Sequence, residues 1–291
     1  MKSVFFKTIG LLYLTVVLFA ATITGIFWNI FRFNIAIAIV IILVAAIPVS
    51  IFIFALLMNG EKNSKFGKLH TEFMKELTTN GYSERFLAIT EEAVTANRNG
   101  EKVGKTYLRD FVLYAADYYN MTGNYNKALS LISNLNEFDY NGTSDVFIDY
   151  GMSAMMYYCA LMDAYRGLND KASASTLIGR AKPFLSRNFK LEVLEMGADS
   201  LYYNYCMLIE DYERAGEYIR KLNSYTSAEA QKYFSRYYYE AEYDVHLGKK
   251  QEAAQALKKI EPLITGNMKA ALTFCYELFQ DKLGLREEMK G

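Results

Sequence analysis

At 291 residues the chain is long enough for one or two domains with a substantial core, and 52% of it is hydrophobic. Its 32 basic residues are balanced by 32 acidic ones, so there is none of the basic excess that nucleic-acid binding relies on. Cys159, Cys206 and Cys275 are widely spaced, with no CxxC and no histidine at ligand spacing. Neither a disulfide framework nor a zinc site is expected from them, and buried, reduced thiols are.

The hydrophobic excess lies at the start of the chain. Residues 1–60 contain no Asp or Glu and three basic residues, Lys2, Lys7 and Arg32. Removing those three leaves 29 basic and 32 acidic residues in 61–291, the composition of an ordinary water-exposed domain. Segments 8–31 and 35–58 each run 24 residues without a charge, enough for a helix to cross a ~30 Å hydrocarbon layer with some tilt. Only Arg32-Phe33-Asn34 separates them, which predicts a tight transmembrane hairpin with Trp28, Phe31 and Phe33 at the interface. A cleaved signal peptide is the competing reading, but residues 20–25 lack a good small-x-small cleavage pair. Lys2 and Lys7 before the first span, and Lys62, Lys65 and Lys68 after the second, outweigh Arg32 in the turn. The positive-inside rule then places both termini in the cytoplasm of what is expected to be a bacterial plasma membrane.

Residues 61–291 read as helix throughout. Phe111, Tyr114, Ala115, Tyr118 and Tyr119 share one helical face, and Gly81, Gly123, Gly167 and Gly248 punctuate the pattern. The punctuation repeats. Gly123-Asn124-Tyr125-Asn126-Lys127-Ala128 is matched by Gly167-Leu168-Asn169-Asp170-Lys171-Ala172 and by Gly248-Lys249-Lys250-Gln251-Glu252-Ala253. Glu210-Asp211-Tyr212-Glu213-Arg214-Ala215 keeps all but the glycine, and a fainter copy starts at Asn80. The starts at 80, 123, 167, 210 and 248 are 43, 44, 43 and 38 residues apart. Residues 267–283, with Phe274, Tyr276 and Phe279, have the character of a terminal capping helix.

Over about residues 66–285 this pattern resembles the tetratricopeptide repeat, whose helix A–helix B turn reads Gly-x-Tyr-x-x-Ala. Ala116, Ala160 and Ala241 match the small residue of its helix A. The chain departs from that family in a period above the usual ~34 residues and in lacking the Trp-Leu-Gly opening. The resemblance implies a right-handed α-α solenoid in 61–291, so that with the two-helix transmembrane hairpin expected in 1–60 the fold is all-α. It also implies a concave binding face lined by the A helices. On that register the groove residues are Asp117, Asn120, Tyr157, Tyr165, Asn204, Tyr238, Glu242 and His246. Relatives that clamp acidic carboxyl-terminal peptides carry asparagine where this register gives Asp117, Leu161 and Glu242. A peptide with basic and apolar residues suits the groove better.

Other motifs carry little. Gly100-Glu101-Lys102-Val103-Gly104-Lys105-Thr106 has three residues between its glycines where a phosphate-binding P-loop needs four, and a helix precedes it where a strand is required. His70 and His246 are the only histidines, and no nucleophile–base pair can be assembled around them. No catalytic residue, cofactor or metal is expected. Tyrosine is in excess, 24 residues, with runs at 118–119, 157–158, 202–205 and 237–239. Neighbouring helical residues point ~100° apart, so at least one ring of each run should be partly exposed. The function expected is a scaffold or adaptor that binds a protein or peptide at the cytoplasmic face, anchored in the bilayer through residues 8–58. The alternatives are an accessory subunit of a membrane transport or secretion complex, and an enzyme whose site forms only on folding.

Overall fold

The computed structural model describes residues 10–18, 44, 46–53, 64–136, 148–187, 189 and 191–289. All regular structure among them is helical, with no strand. The chain divides into two compact units, residues 1–68 with 143–149, and residues 69–142 with 150–291. In the first unit, residues 10–18, 44 and 46–53 are helical. No helix among the described residues is long and apolar enough to cross a membrane. Most of the expected hairpin, including its turn at 32–34, lies outside the described residues.

The second unit is a succession of helix pairs. They are α1 (Lys65–Asn80, which begins just before the unit) with α2 (Glu84–Arg98), and α3 (Lys105–Met121) with α4 (Tyr125–Ile132). Next come α5 (Ile148–Gly167) with α6 (Lys171–Leu185), and α7 (Glu192–Leu208) with α8 (Tyr212–Ser224). After the short α9 (Ala228–Gln231), α10 (Ser235–His246) pairs with α11 (Lys250–Lys258), and α12 (Lys269–Leu283) is last. Segment 101–104 connects α2 to α3, with Gly104 as the N-cap of α3.

Each pair turns on one residue in the left-handed region: Gly81 (φ 70°), Gly123 (82°), Asn169 (55°), Glu210 (65°) and Gly248 (75°). At the last four turns the backbone N–H that follows bonds back to the carbonyl five residues earlier, closing the helix as a Schellman cap does. These bonds are Asn124 to Tyr119 (2.8 Å), Asp170 to Tyr165 (2.8 Å), Asp211 to Cys206 (2.9 Å) and Lys249 to Asp244 (2.8 Å). The next helix then starts at once, aided where an acidic N-cap is present. Asp170 accepts from Ser173 N at 2.9 Å and Asp211 from Arg214 N at 3.3 Å.

This geometry corrects the register of the third pair. Gly167 is not its turn; it is the last residue of α5, and the left-handed residue is Asn169. A Cβ on Gly167 would stand 2.2 Å from the Tyr125 ring, so glycine is needed there for close approach instead. The residue equivalent to Ala128, Ala215 and Ala253 is therefore Ala174. All four are fully buried, whereas Ala172 is exposed. They stand where the second helix of a pair meets the first, the contact that a larger side chain would force open.

The aromatic core runs through the pairs, with Phe73 stacked on Phe86 at 4.6 Å between α1 and α2 and Tyr158 against Phe184 at 5.7 Å between α5 and α6. Tyr157 and Tyr158 are both buried, contrary to the expectation of a partly exposed ring in each run. The reason is that α5 is flanked on two sides. Arg109 and Asn120 of α3 bond to Ser153 and to Ala160 O, and Cys159 Sγ donates to Gly197 O of α7.

Helix α12 packs on α10 and also reaches the first pairs. The backbone of Ala270 and Ala271 comes so near Gly81 that a Cβ there would lie 3.1 Å away. Phe274 lies 5.4 Å from Tyr82 and 5.7 Å from Tyr118 between ring centres, and Cys275 Sγ is 3.5 Å from Met121 Sδ. On its other side Phe279 stacks on Tyr238 at 4.2 Å. The helix ends at Gly284 in the left-handed conformation (φ 63°).

Candidate functional site

The first helices of the last four pairs, together with α12, line a half-open cavity of about 630 Å³. One register position recurs along its wall. Six residues before the left-handed turns of the last four pairs stand Asp117 (α3), Asp163 (α5), Asn204 (α7) and Glu242 (α10), and all four line the cavity; the first pair has the exposed Lys75 there, away from the cavity. Helical periodicity brings Asn120 and Arg166 to the same face, three residues further on in their helices.

Asp163, Arg166, Asn204 and Glu242 form a connected network. Arg166 Nη1 donates to Asn204 Oδ1 at 2.6 Å and to Glu242 Oε2 at 2.9 Å. Asn204 Nδ2 donates to Asp163 Oδ1 at 3.1 Å, which fixes the orientation of the amide. Glu242 also accepts from Tyr203 Oη (2.9 Å) and Tyr238 Oη (3.3 Å). Asp117 accepts from Tyr82 Oη at 3.1 Å. Asn120, only 5% exposed, donates to Ala160 O at 2.8 Å, and its Oδ1 has no partner among the described residues.

Burial sets the electrostatics. It pushes the Asp117 carboxyl up to about 6, against the pull of the Tyr82 hydroxyl. It pushes Asp163 up to about 7, helped by the negative charge of Asp117 and opposed by Arg166. The Cys159 thiol on the same wall is raised by burial and by Asp163. Desolvation disfavours the charged carboxylates, and among the described residues no cation forms an ion pair with either to offset it.

Of the eight groove residues expected from the sequence, the fold brings Asp117, Asn120, Asn204, Tyr238 and Glu242 to this cavity. The other three lie elsewhere. Tyr157 is 7% exposed and belongs to the core. Tyr165 lines a separate shallow depression with Ala172 and Arg180. His246 is exposed and stacks on Tyr212 at 3.8 Å, so it does not join Glu242 in the cavity. Both tyrosines follow from the two-residue slip in the third pair: with the turn at Asn169, their positions pass to Cys159 and Gly167, which do line the cavity. The same slip put Leu161, a 5% exposed core residue, where Asp163 belongs. Asp163 and Arg166 are the site residues that the sequence register missed. The signal that would have found them is Asn169-Asp170, a residue tolerant of positive φ followed by an N-cap, as in Glu210-Asp211.

Among the described residues no group of three or more His, Cys, Asp or Glu side chains is placed to hold a metal ion. No family model, curated protein or solved structure matches the chain.

Proposed function

We propose that the chain is a membrane-anchored adaptor, held in the bilayer by a hairpin within residues 8–58. Residues 61–291 would form a tetratricopeptide-like solenoid that receives a segment of a partner protein. The observation that carries this reading is the recurrence of one helical position, Asp117, Asp163, Asn204 and Glu242, along the wall of a single cavity. Repeats stacked with a constant register present equivalent side chains as a row, and such rows are how helical solenoids build extended binding surfaces. The hairpin supplies the anchor, and its uncharged 24-residue segments are what support it. Anchoring raises the local concentration of whatever the cavity binds.

A photoreactive amino acid tests the reading in the full chain within native membranes. Placed at Met156, which lines the cavity and is 36% exposed, it should form an adduct with a discrete partner. Placed at Leu168 or Leu247, exposed but outside the cavity, it should not. Adducts formed only from positions within 8–58 would replace the adaptor reading with docking through the hairpin.

A further inference from the structure

We propose that the cavity seats an organic ammonium group between Asp117 and Asp163, an inference that rests on the cavity being the binding face. The argument is an inventory of donors and acceptors. Among the described residues Asp117 takes one hydrogen bond, from Tyr82, and Asp163 takes one, from Asn204. Asn120 Oδ1, on the same wall, takes none. A carboxylate has room for about four bonds, so the wall is rich in unused acceptors.

The cations do not fill them. The Arg166 guanidinium is committed to Glu242 and Asn204, and that pair is neutral as a unit. Lys282 of α12 stands exposed at the rim, with no hydrogen bond or ion pair among the described residues. Above about pH 7, where both carboxyls are ionised, two carboxylates thus face one lysine, which leaves one negative charge for a ligand to neutralise. An anion would meet both aspartates at close range and is excluded on charge.

A divalent metal fits poorly, because among the described residues no cluster of three His, Cys, Asp or Glu side chains is placed for it. An ammonium group fits: it brings three N–H donors and one positive charge. The rings of Tyr114, Tyr125 and Tyr238 line the same space, and aromatic faces attract cations in desolvated sites. At about 630 Å³ the cavity exceeds what a lone ammonium needs, leaving room for an alkyl chain against Met156 and Phe279. Such a group could be a free amine or the lysine side chain of a docked segment. The chemistry is shared, and the test separates the sources.

The full chain in detergent at pH 8 is titrated calorimetrically with 1-aminopentane, with a short apolar peptide bearing one lysine, and with two neutral twins. The twins are 1-pentanol and the same peptide carrying norleucine for lysine. Binding of 1-aminopentane, or of the lysine peptide alone, with each twin at least about tenfold weaker, is the expected result. The first outcome makes the ligand a small molecule and the second a basic side chain. The double variant Asp117→Asn with Asp163→Asn should lose at least about tenfold in affinity while melting no lower than the parent at pH 8. Equal binding of charged and neutral twins, binding of neither amine, or undiminished binding by the double variant overturns the proposal. The Met156 adduct keeps the two readings apart. A partner that crosslinks to the double variant as well as to the parent, in a chain that binds neither amine, retires the ammonium site and leaves the adaptor standing. Amine binding with no adduct at Met156 does the reverse.

Discussion

The second and third helix pairs perform the same task with different residues. In α3–α4 the turn is Gly123, the crossing alanine Ala128 and the cavity aspartate Asp117; in α5–α6 these are Asn169, Ala174 and Asp163. The third pair also holds a glycine, Gly167, that looks like the turn and is not. What repeats is a backbone conformation and its capping hydrogen bond, and glycine is only the commonest way to reach it.

The sharpest way to break the comparison is to overpack the crossing. Ala174→Leu should destabilise the full chain by about 1–3 kcal/mol, as Ala128→Leu should, because both sites are fully buried. Ala172→Leu, at an exposed site, should stay within about 0.5 kcal/mol of the parent in thermal melts. If Ala172→Leu is the damaging one, the turn is at Gly167 after all and Asp163 leaves the repeating row.

These two alanines also show what could be read from the chain alone. The repeat register brings five of the eight expected groove residues to the cavity wall, and the all-helical class followed from periodicity, which depends on local sequence. The turn of the third pair did not, since positive φ is a property of the backbone and asparagine adopts it without announcing it. Nor did the burial of Tyr157. Whether a helix has one packed flank or two is decided by neighbours distant in sequence, here α3 and α7.

The aspartates offer the next test. Burial holds Asp163 near 7, above its unfolded value, so the folded state binds a proton more tightly than the unfolded chain does. Its contribution to stability is therefore fully present below about pH 4 and falls as pH rises towards 7. Asp163→Asn should melt higher than the parent at pH 8, by a gain on the order of 2 kcal/mol, and match it at pH 4. Asp117→Asn should show a smaller gain, because Asp117 is pushed only to about 6. Parallel pH profiles for parent and Asp163→Asn would mean that the carboxyl is solvated.

The mildest perturbation is at the turns themselves. A Cβ on Gly123 would meet nothing within 4 Å, so Gly123→Ala isolates the backbone effect and should cost about 1–2 kcal/mol. Asn169→Gly should instead stabilise, by less than about 1 kcal/mol, in chemical denaturation of the full chain. Glu210, the other non-glycine turn at φ 65°, should respond to Glu210→Gly in the same direction, offset in part by loss of its exposed pair with Lys171.

The reach of α12 back to Gly81, Tyr82 and Met121 changes how such a chain melts. A linear array of repeats has only neighbour-to-neighbour bonds and unravels from its ends, one unit at a time. Here the end is tied to the beginning: Cys275 and Met121, in contact, are 154 residues apart in sequence. The terminal helix cannot fray without releasing the first turn, and the first turn cannot open without exposing the terminal helix. Contacts of that span are late and slow to form, since much of the chain must already be ordered before they can close. The reward for the delay is a domain whose loose ends guard each other, and which loses its structure all at once.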